Sequence, residues 1–219
     1  MAKGTATRTA ASLVIVATSA FLFSFLRVPG PDFNPKPHQA LGRVVAEEAL
    51  KLLPAEGRII LFSRDAKSFK APAAEAQLTE FCRTVLAAGR KIAVTNQLQV
   101  DPLRRISLPA GDFVERLQRA TTADVVVSFL GPPILNENQL KRLGQKRLGV
   151  VAVCSGDLPR QIHLKQLFDQ KLLHAAIISR PAPLPKPPPN APWRNWFDGL
   201  FQTITATNVA DLPQPSDRP

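Results

Sequence analysis

The sequence contains no tyrosine, two cysteines, one methionine and three histidines among its 219 residues. It also has no dense basic run interleaved with aromatic residues, the pattern on which single-stranded nucleic acid stacks. We therefore expect no nucleic-acid partner, although the formal net charge is +11. Basic residues scattered over helix surfaces explain that charge as a solvated face.

Motifs of the common catalytic classes are missing as well. The chain has no Gly-x-Gly-x-x-Gly after a strand, no P-loop, no Gly-x-Ser-x-Gly and no His-Glu-x-x-His. His38, His163 and His174 lie far apart along the chain. We expect a non-catalytic protein with no catalytic residue, no metal and no cofactor.

The two cysteines lie in apolar surroundings, Cys82 in EFCRTVL and Cys154 in VVAVCSG. Both are expected to be small core residues, and a single pair does not establish a disulfide. One enzymatic alternative remains open, a hydrolase that uses the strand exit Cys154-Ser155-Gly156-Asp157. It lacks an obvious base, because His163 falls inside a predicted helix.

A long uncharged segment lies near the N-terminus. Residues 10–26 read AASLVIVATSAFLFSFL, which as a helix would span about 25 Å. With Arg27 snorkelling and Val28 added, the sequence predicts a single-pass transmembrane signal anchor over 10–28, preceded by a tail over 1–9. The alternative is a signal peptide cleaved near the small residues at 18–20.

The side of the membrane is predicted from the length of the N-terminal tail. A short tail before a first apolar segment usually stays inside, so we expect the domain to be extracytoplasmic, in the periplasm. The basic residues on the two sides of the span are almost balanced, with Lys3 and Arg8 before it and Arg27, Lys36 and Arg43 after it.

Proline divides the rest of the chain. Twenty-one prolines occur, and they cluster toward the C-terminus. The predicted organisation is a Pro-rich spacer over 29–39, an α/β domain over 40–180, a Pro-rich linker over 181–192, an amphipathic aromatic segment over 193–210 and a disordered tail over 211–219.

Within the domain, short apolar runs alternate with amphipathic stretches. Strands are predicted at 57–63, 91–97, 124–130, 148–155 and 174–180, and helices at 40–53, 73–89, 111–123, 136–145 and 158–173. Continuous apolar strands separated by helices indicate a doubly wound, mostly parallel five-stranded sheet. We predict a Rossmann-like or flavodoxin-like α/β fold with strand order 2-1-3-4-5.

Candidate ligand-binding residues follow from that sheet, because doubly wound folds bind ligands beyond the carboxyl ends of their strands. In DVVVSFLGPPIL, residues 124–135, an apolar strand runs into Gly131-Pro132-Pro133. That break is either a functional loop or a turn into the next helix, and its prolines offer no N–H to an anion. The candidates at the strand exits are Ser63, Arg64, Asp65, Asn96, Ser128, Gly131, Ser155 and Asp157.

A candidate partner-binding segment lies at 181–201. In WRNWFDGLF, Trp193, Trp196 and Phe197 fall on one helical stripe with both tryptophans of the protein. Such a stripe is buried against the domain itself, a protein partner or a bilayer surface.

The segments GRIILFSRD, NQLQVDP and FVERLQRATTADVVVSFLGPP, with FQTITATNVADLP near the C-terminus, resemble one lobe of a type I periplasmic sugar-binding protein. The resemblance covers roughly residues 57–181. It implies that Asp65, Asn96, Ser128 and Ser155 form one wall of a ligand cleft. Members of that family close two lobes over the ligand, and no stretch here is long enough for a second lobe.

These observations lead to one functional prediction, a membrane-anchored, non-catalytic α/β module that binds a small-molecule ligand or a protein partner. Two alternatives remain, the hydrolase described above and a transport-type solute-binding lobe that acts without its second half.

Overall fold

The computed structural model describes residues 33–65, 71–99, 108–144, 146–154, 156, 159 and 162–212. The helices are α1 (Lys36–Leu52), α2 (Pro72–Ala87), α3 (Ala110–Arg119), α4 (Glu137–Leu143), α5 (Leu164–Asp169) and α6 (Trp193–Leu200). The strands are β1 (Ile59–Arg64), β2 (Ile92–Leu98), β3 (Val125–Ser128), β4 (Gly149–Cys154), β5 (Ala175–Ser179) and β6 (Phe201–Ile204). A short 3-10 helix (Val209–Asp211) follows β6.

The strands form one six-stranded sheet in the order β2-β1-β3-β4-β5-β6. Neighbouring strands from β2 to β5 run parallel, whereas β6 pairs antiparallel with β5. The α/β class and the parallel sheet are therefore confirmed. The predicted strand order differs from the observed one because the sheet continues beyond β5 to a sixth strand.

The missed strand, β6, lies inside the predicted amphipathic aromatic segment over 193–210. It is only four residues long, and it begins directly where α6 ends. Its two ends, Phe201 and Ile204, are buried while its middle residues are partly exposed. Four residues with this pattern show too little alternation to be recognised as a strand.

Strands β1, β3, β4 and β5 are buried along nearly all of their length, as their apolar sequences require, whereas the edge strand β2 has no buried residue. Side chains of alternate residues point to opposite faces. Ile59 and Leu61 of β1 face a core shared with α1, α2 and α6. Ile60 and Phe62 face a second core, which includes buried residues of α3, α4 and α5.

Helices α1 and α2 cross in close contact at a glycine. A Cβ atom on Gly42 would lie 2.1 Å from the carbonyl oxygen of Gln77, a separation that real Cβ atoms do not reach. The two backbones thus approach because Gly42 has no side chain. Helix α1 begins at Lys36, earlier than predicted, because Pro37 is compatible with the first turn of a helix.

Helix α3 ends at Arg119, earlier than predicted. The residues after it hydrogen-bond to the Asp124 side chain instead of continuing the helix. The Asp124 carboxylate accepts hydrogen bonds from the backbone N–H of Thr121 (2.8 Å), and from the backbone N–H and guanidinium of Arg58 (3.2 Å). Burial opposes the charge, yet these hydrogen bonds lower the pKa of Asp124. The carboxylate therefore ties the amino ends of β1 and β3 together.

The helix predicted over 158–173 is also shorter, since α5 covers only Leu164–Asp169. Lys171 has φ of 55°, a left-handed conformation that ends a helix. Leu172 and Leu173 are then buried in the core rather than continuing a helical face.

The predicted anchor at 10–28 and the tail at 1–9 lie outside the described residues. Within the part of the chain that the structure covers, no helix is both long and apolar enough to cross a bilayer.

Candidate functional site

The candidate site lies at the carboxyl edge of the sheet, where β1 is flanked by β2 on one side and β3 on the other. The order in which strands are added changes side at this point, since β2 lies on one side of β1 and β3 on the other. In doubly wound folds a crevice forms at such a point. Phe62 of β1 is level with both Asn96 and Ser128. The predicted residues of the first three strands are therefore brought to one edge.

A cavity of about 50 Å³ opens at this edge between β1, α2 and the residue after β3. We call it the carboxyl-edge pocket. Its lining consists of Ser63, Arg64, Ala71, Ala74, Glu75, Gln77, Leu78 and Phe129. The walls are largely apolar, and an arginine and a glutamate stand among them. This combination suits a small group that is mostly apolar and carries a polar end.

Ser63 is one of the polar residues that line the carboxyl-edge pocket. Its side chain is 97 % buried, since its relative exposure is 3 %, and its hydroxyl has no hydrogen-bond partner among the described residues. Leaving a buried hydroxyl without a partner costs about 1–3 kcal/mol. The hydroxyl of this pocket-lining serine thus keeps an unused hydrogen-bonding capacity within the fold.

Ser128 and Asn96, in contrast, are used within the fold. The Ser128 hydroxyl accepts the backbone N–H of Leu130 at 3.2 Å, which shapes the turn after β3. The Asn96 side-chain amide donates to the carbonyl of Leu61 at 3.3 Å, which fastens β2 to β1. Both residues reach the predicted edge, and both already have partners there.

Asp65 and Gly131 continue the same edge. The backbone N–H of Asp65 donates to the carbonyl of Leu98 at 2.8 Å, so the pairing of β1 with β2 extends past Arg64. Gly131 has φ of 89° and is buried with the two prolines that follow it. A positive φ favours glycine, so the Gly-Pro-Pro break is a packed turn from β3 toward α4.

The exit of β4 offers no accessible nucleophile at Cys154. The thiol is fully buried, and burial raises its pKa to about 12. A thiol reacts as its thiolate, so Cys154 is unsuited to the hydrolase alternative. Ser155 and Asp157 lie outside the described residues, and their roles stay predictions.

Groups suited to a metal ion are dispersed. Among the residues that the structure describes, no three His, Cys, Asp or Glu side chains come together in a way that would hold one. His174 lies beside β4, where its Nδ1 accepts the backbone N–H of Val150 at 3.2 Å. Burial, together with the nearby charge of Lys171, lowers the pKa of His174.

The three aromatic residues named as partner-binding candidates have different surroundings. Trp196 and Phe197 are buried in the core on the α1 side of the sheet. Trp193 is partly exposed, with the guanidinium carbons of Arg43 and Arg194 at 4.3 and 4.7 Å from its ring centroid. Of the three, Trp193 is the one that is not buried.

Sequence reasoning missed the contribution of α2 to the carboxyl-edge pocket. Ala74, Glu75 and Leu78 line it from the first turns of that helix. The available signal was the short connection between β1 and α2, which brings the start of the helix beside the carboxyl end of the strand. Phe129 was also missed, because it follows Ser128 in an apolar run that predicts a buried strand residue.

No protein-family model matches the sequence, and no curated protein is similar to it in sequence. Solved structures, however, share its fold. A carbohydrate transporter solute-binding protein from Agrobacterium radiobacter, in complex with D-arabinose, has a TM-score of 0.50 and 14% identity over 80% of this chain and 61% of its own.

Two further structures are similar at the same TM-score of 0.50. An ABC sugar transporter subunit from Rhodobacter sphaeroides is 10% identical over 78% of this chain and 63% of its own. A sugar ABC transport substrate-binding protein from Bordetella parapertussis is 14% identical over 80% of this chain and 58% of its own. The chain spans about 60% of the length of these proteins. The resemblance is thus confirmed at the level of fold, and the chain has the type I periplasmic-binding fold.

Proposed function

We propose that the protein is a non-catalytic binding module, held at the extracytoplasmic face of a membrane by residues 10–28. Its carboxyl-edge pocket receives a small polar group of a ligand, and a second body completes the binding site. The observation that carries the proposal is the buried, unpartnered hydroxyl of Ser63, a residue that lines that pocket.

The size of the pocket supports a shared site. At about 50 Å³, the cavity is much smaller than the roughly 300–1,000 Å³ of pockets that enclose a drug-sized ligand. One functional group fits, and the remainder of a ligand would lie above the rim. A partner protein in the membrane, in the place of a second lobe, would cover that remainder.

The chemistry of the rim supports a polar ligand. Arg64 and Glu75 both line the pocket, and the Glu75 carboxylate is an acceptor for hydroxyl or amide groups of a ligand. Phe129 and Leu78 supply apolar contact to the same group. This arrangement binds and orients a ligand.

The proposal is tested by filling the carboxyl-edge pocket. Ala74 lines it, so Ala74→Leu places extra methyl groups inside, whereas Ala87→Leu adds the same groups at an exposed position near the end of α2. The full chain and both variants are captured from membranes, and co-purified molecules are identified by native mass spectrometry. We expect Ala74→Leu to lose a molecule that the other two retain. Identical capture by all three proteins would refute the proposal.

A second candidate, a solute-binding lobe that works alone, is favoured by the fold shared with the sugar-binding proteins described above. It predicts binding of a free sugar without any partner. Titration of the full chain with D-arabinose, followed by calorimetry, separates the two. Measurable heat that Ala74→Leu abolishes would favour the lone lobe, and its absence would favour the shared site.

A further inference from the structure

A second concave surface lies on the α1 face of the sheet, away from the carboxyl-edge pocket. Two cavities of about 370 and 530 Å³ share Lys36 and Trp196. Together they form what we call the α1–α6 groove. Its lining includes the basic residues Lys36, Arg43, Arg83 and Lys186, together with Trp193 and Trp196.

The α1–α6 groove is basic. Its carboxylates are already paired, Glu80 with Arg83 at 2.5 Å, and the nearby Glu47 with Arg43 at 3.2 Å and Arg194 at 3.5 Å. Neither Lys36 nor Lys186 has a carboxylate within ion-pair distance among the described residues. Two ammonium groups therefore keep an uncompensated positive charge, which favours an anion.

Packing holds one of these cations in place. The Lys36 ammonium donates to the carbonyl of Pro189 at 2.6 Å and lies 5.4 Å from the ring centroid of Trp196. The indole N–H of Trp196 is buried and has no acceptor among the described residues. Lys36 thus links the start of α1 to the proline-rich segment and fixes its charge in the α1–α6 groove.

Trp193 adds an amphipathic ring at the same surface. It is partly exposed between the guanidinium groups of Arg43 and Arg194. Tryptophan between cations is suited to the headgroup level of a bilayer, where its apolar body and polar N–H are both accommodated. The surface therefore matches a phospholipid interface in charge and in side-chain type.

The position in the chain indicates which anion is close by. Lys36 follows the end of the predicted anchor at residue 28 by eight positions, and eight residues span at most about 28 Å. An anchor ending at residue 28 would keep the backbone of Lys36, at one end of the α1–α6 groove, within that distance of the anchor. Phosphate groups of lipids are then the anions at highest local concentration.

We propose that the α1–α6 groove docks on anionic phospholipid headgroups of the membrane that holds the anchor. The inference rests on the anchor in the proposed function and adds a specific orientation to it. Each neutralised basic residue at such a surface weakens the docked state about fivefold, and salt weakens it further.

Intrinsic fluorescence can report on this surface alone, because Trp193 and Trp196 are the two tryptophans of the protein. The full chain is inserted into preformed vesicles of neutral phosphatidylcholine, or of phosphatidylcholine with about one-third phosphatidylglycerol, a range in which surface charge attracts basic residues. Acrylamide quenching of tryptophan is measured. We expect the quenching constant to fall about twofold in the anionic vesicles and to recover at high salt.

Variants separate docking from general charge. Lys36→Gln with Lys186→Gln removes the two uncompensated cations, and Lys186→Gln alone avoids the packing role of Lys36. Lys141→Gln with Arg142→Gln makes the same charge change at exposed positions of α4, on the opposite face of the sheet. We expect the first two variants to abolish or weaken the shielding and the α4 variant to retain it.

The outcomes distinguish the anchor from the groove. Flotation of the chain with neutral vesicles after an alkaline carbonate wash tests the anchor, and a chain that does not float overturns both proposals. A chain that floats but is quenched equally in both vesicle types overturns the docking alone. So does equal loss of shielding in the α4 variant, or shielding in neutral vesicles by millimolar glycerol phosphate, which would assign the groove to a soluble anion.

Discussion

The carboxyl-edge pocket and the α1–α6 groove differ in position, size and polarity, although both are built on the same α/β fold. The pocket lies where the fold brings strand ends together. It is small and largely apolar, and its lining includes Ser63, whose hydroxyl has no partner among the described residues. The groove lies between helices, and it is wide, basic and lined by tryptophan and proline. The position that the fold favours for a ligand thus holds a cavity of about 50 Å³, whereas the cavities of the α1–α6 groove measure about 370 and 530 Å³.

Helix α2 borders both regions, so the largest expected effect comes from displacing it. Gly42→Ala would press a methyl group against the backbone of Gln77. We expect about 3 kcal/mol of lost stability in urea unfolding, the upper part of the range for overpacking, together with loss of the carboxyl-edge pocket.

Gly111→Ala is the matched control, since a Cβ there meets nothing within 4 Å. It is expected to leave the free energy of unfolding unchanged or to raise it by about 0.5 kcal/mol, because alanine favours helix. Equal destabilisation by both substitutions would contradict the close approach of α1 and α2.

The two buried serines at the carboxyl edge differ in hydrogen bonding, and smaller effects on stability are expected from replacing them. Ser128→Ala removes the acceptor for the Leu130 N–H, and we expect it to cost about 1 kcal/mol. Ser63→Ala removes a hydroxyl that has no partner among the described residues. It is expected to be neutral or stabilising by up to about 1 kcal/mol while it weakens capture of the ligand.

Urea denaturation of the two serine variants measures both effects. A Ser63→Ala variant that is less stable than Ser128→Ala would mean that the Ser63 hydroxyl has a structural partner. The carboxyl-edge pocket would then lose the observation that assigns it to binding.

The smallest effect is expected at His174, which lies in neither region. Its pKa is lowered in the folded state, so the folded protein binds the proton less readily than the unfolded chain does. The stabilisation is therefore present above the unfolded pKa of about 6.5 and is lost as pH falls through it toward the folded value.

Unfolding free energies between pH 8 and pH 5 test this expectation in the parent chain and in His174→Asn, whose side chain does not titrate. The parent should lose more stability on acidification than the variant. His38→Gln measures the separate contribution of His38 to the pH dependence of stability, because burial also lowers the pKa of His38. Parallel pH profiles for the parent and His174→Asn would show that the Val150 contact does not depend on pH.

Much of the fold could be predicted from the sequence because its signals are local. Apolar runs such as GRIILFS and DVVVSFL, separated by helical patterns, indicate parallel strands with helices on both faces. Strand β6 was missed because pairing with β5, rather than its own pattern, makes it a strand. The early end of α3 likewise depends on Asp124, whose contact with Thr121 and Arg58 requires the folded arrangement.

The site was predicted less well, since sequence gives the position of a polar residue but not its partners. Ser63, Asn96 and Ser128 all reach the expected edge, yet only Ser63 lacks a partner among the described residues. Hydrogen bonds between strands decide that difference. The α2 wall and the basic α1–α6 groove both arise from contacts between residues far apart in the chain, so periodicity did not reveal them.

The most direct test of the central claim is site-specific photo-crosslinking from the rim of the carboxyl-edge pocket in intact membranes. A photoreactive residue at Glu75, which is exposed and lines that pocket, is compared with one at Glu56, which is exposed before β1 at the opposite end of the sheet. We expect a discrete adduct from position 75, which Ala74→Leu removes, and no adduct from position 56. Adducts of equal yield from both positions, or from neither, would contradict it.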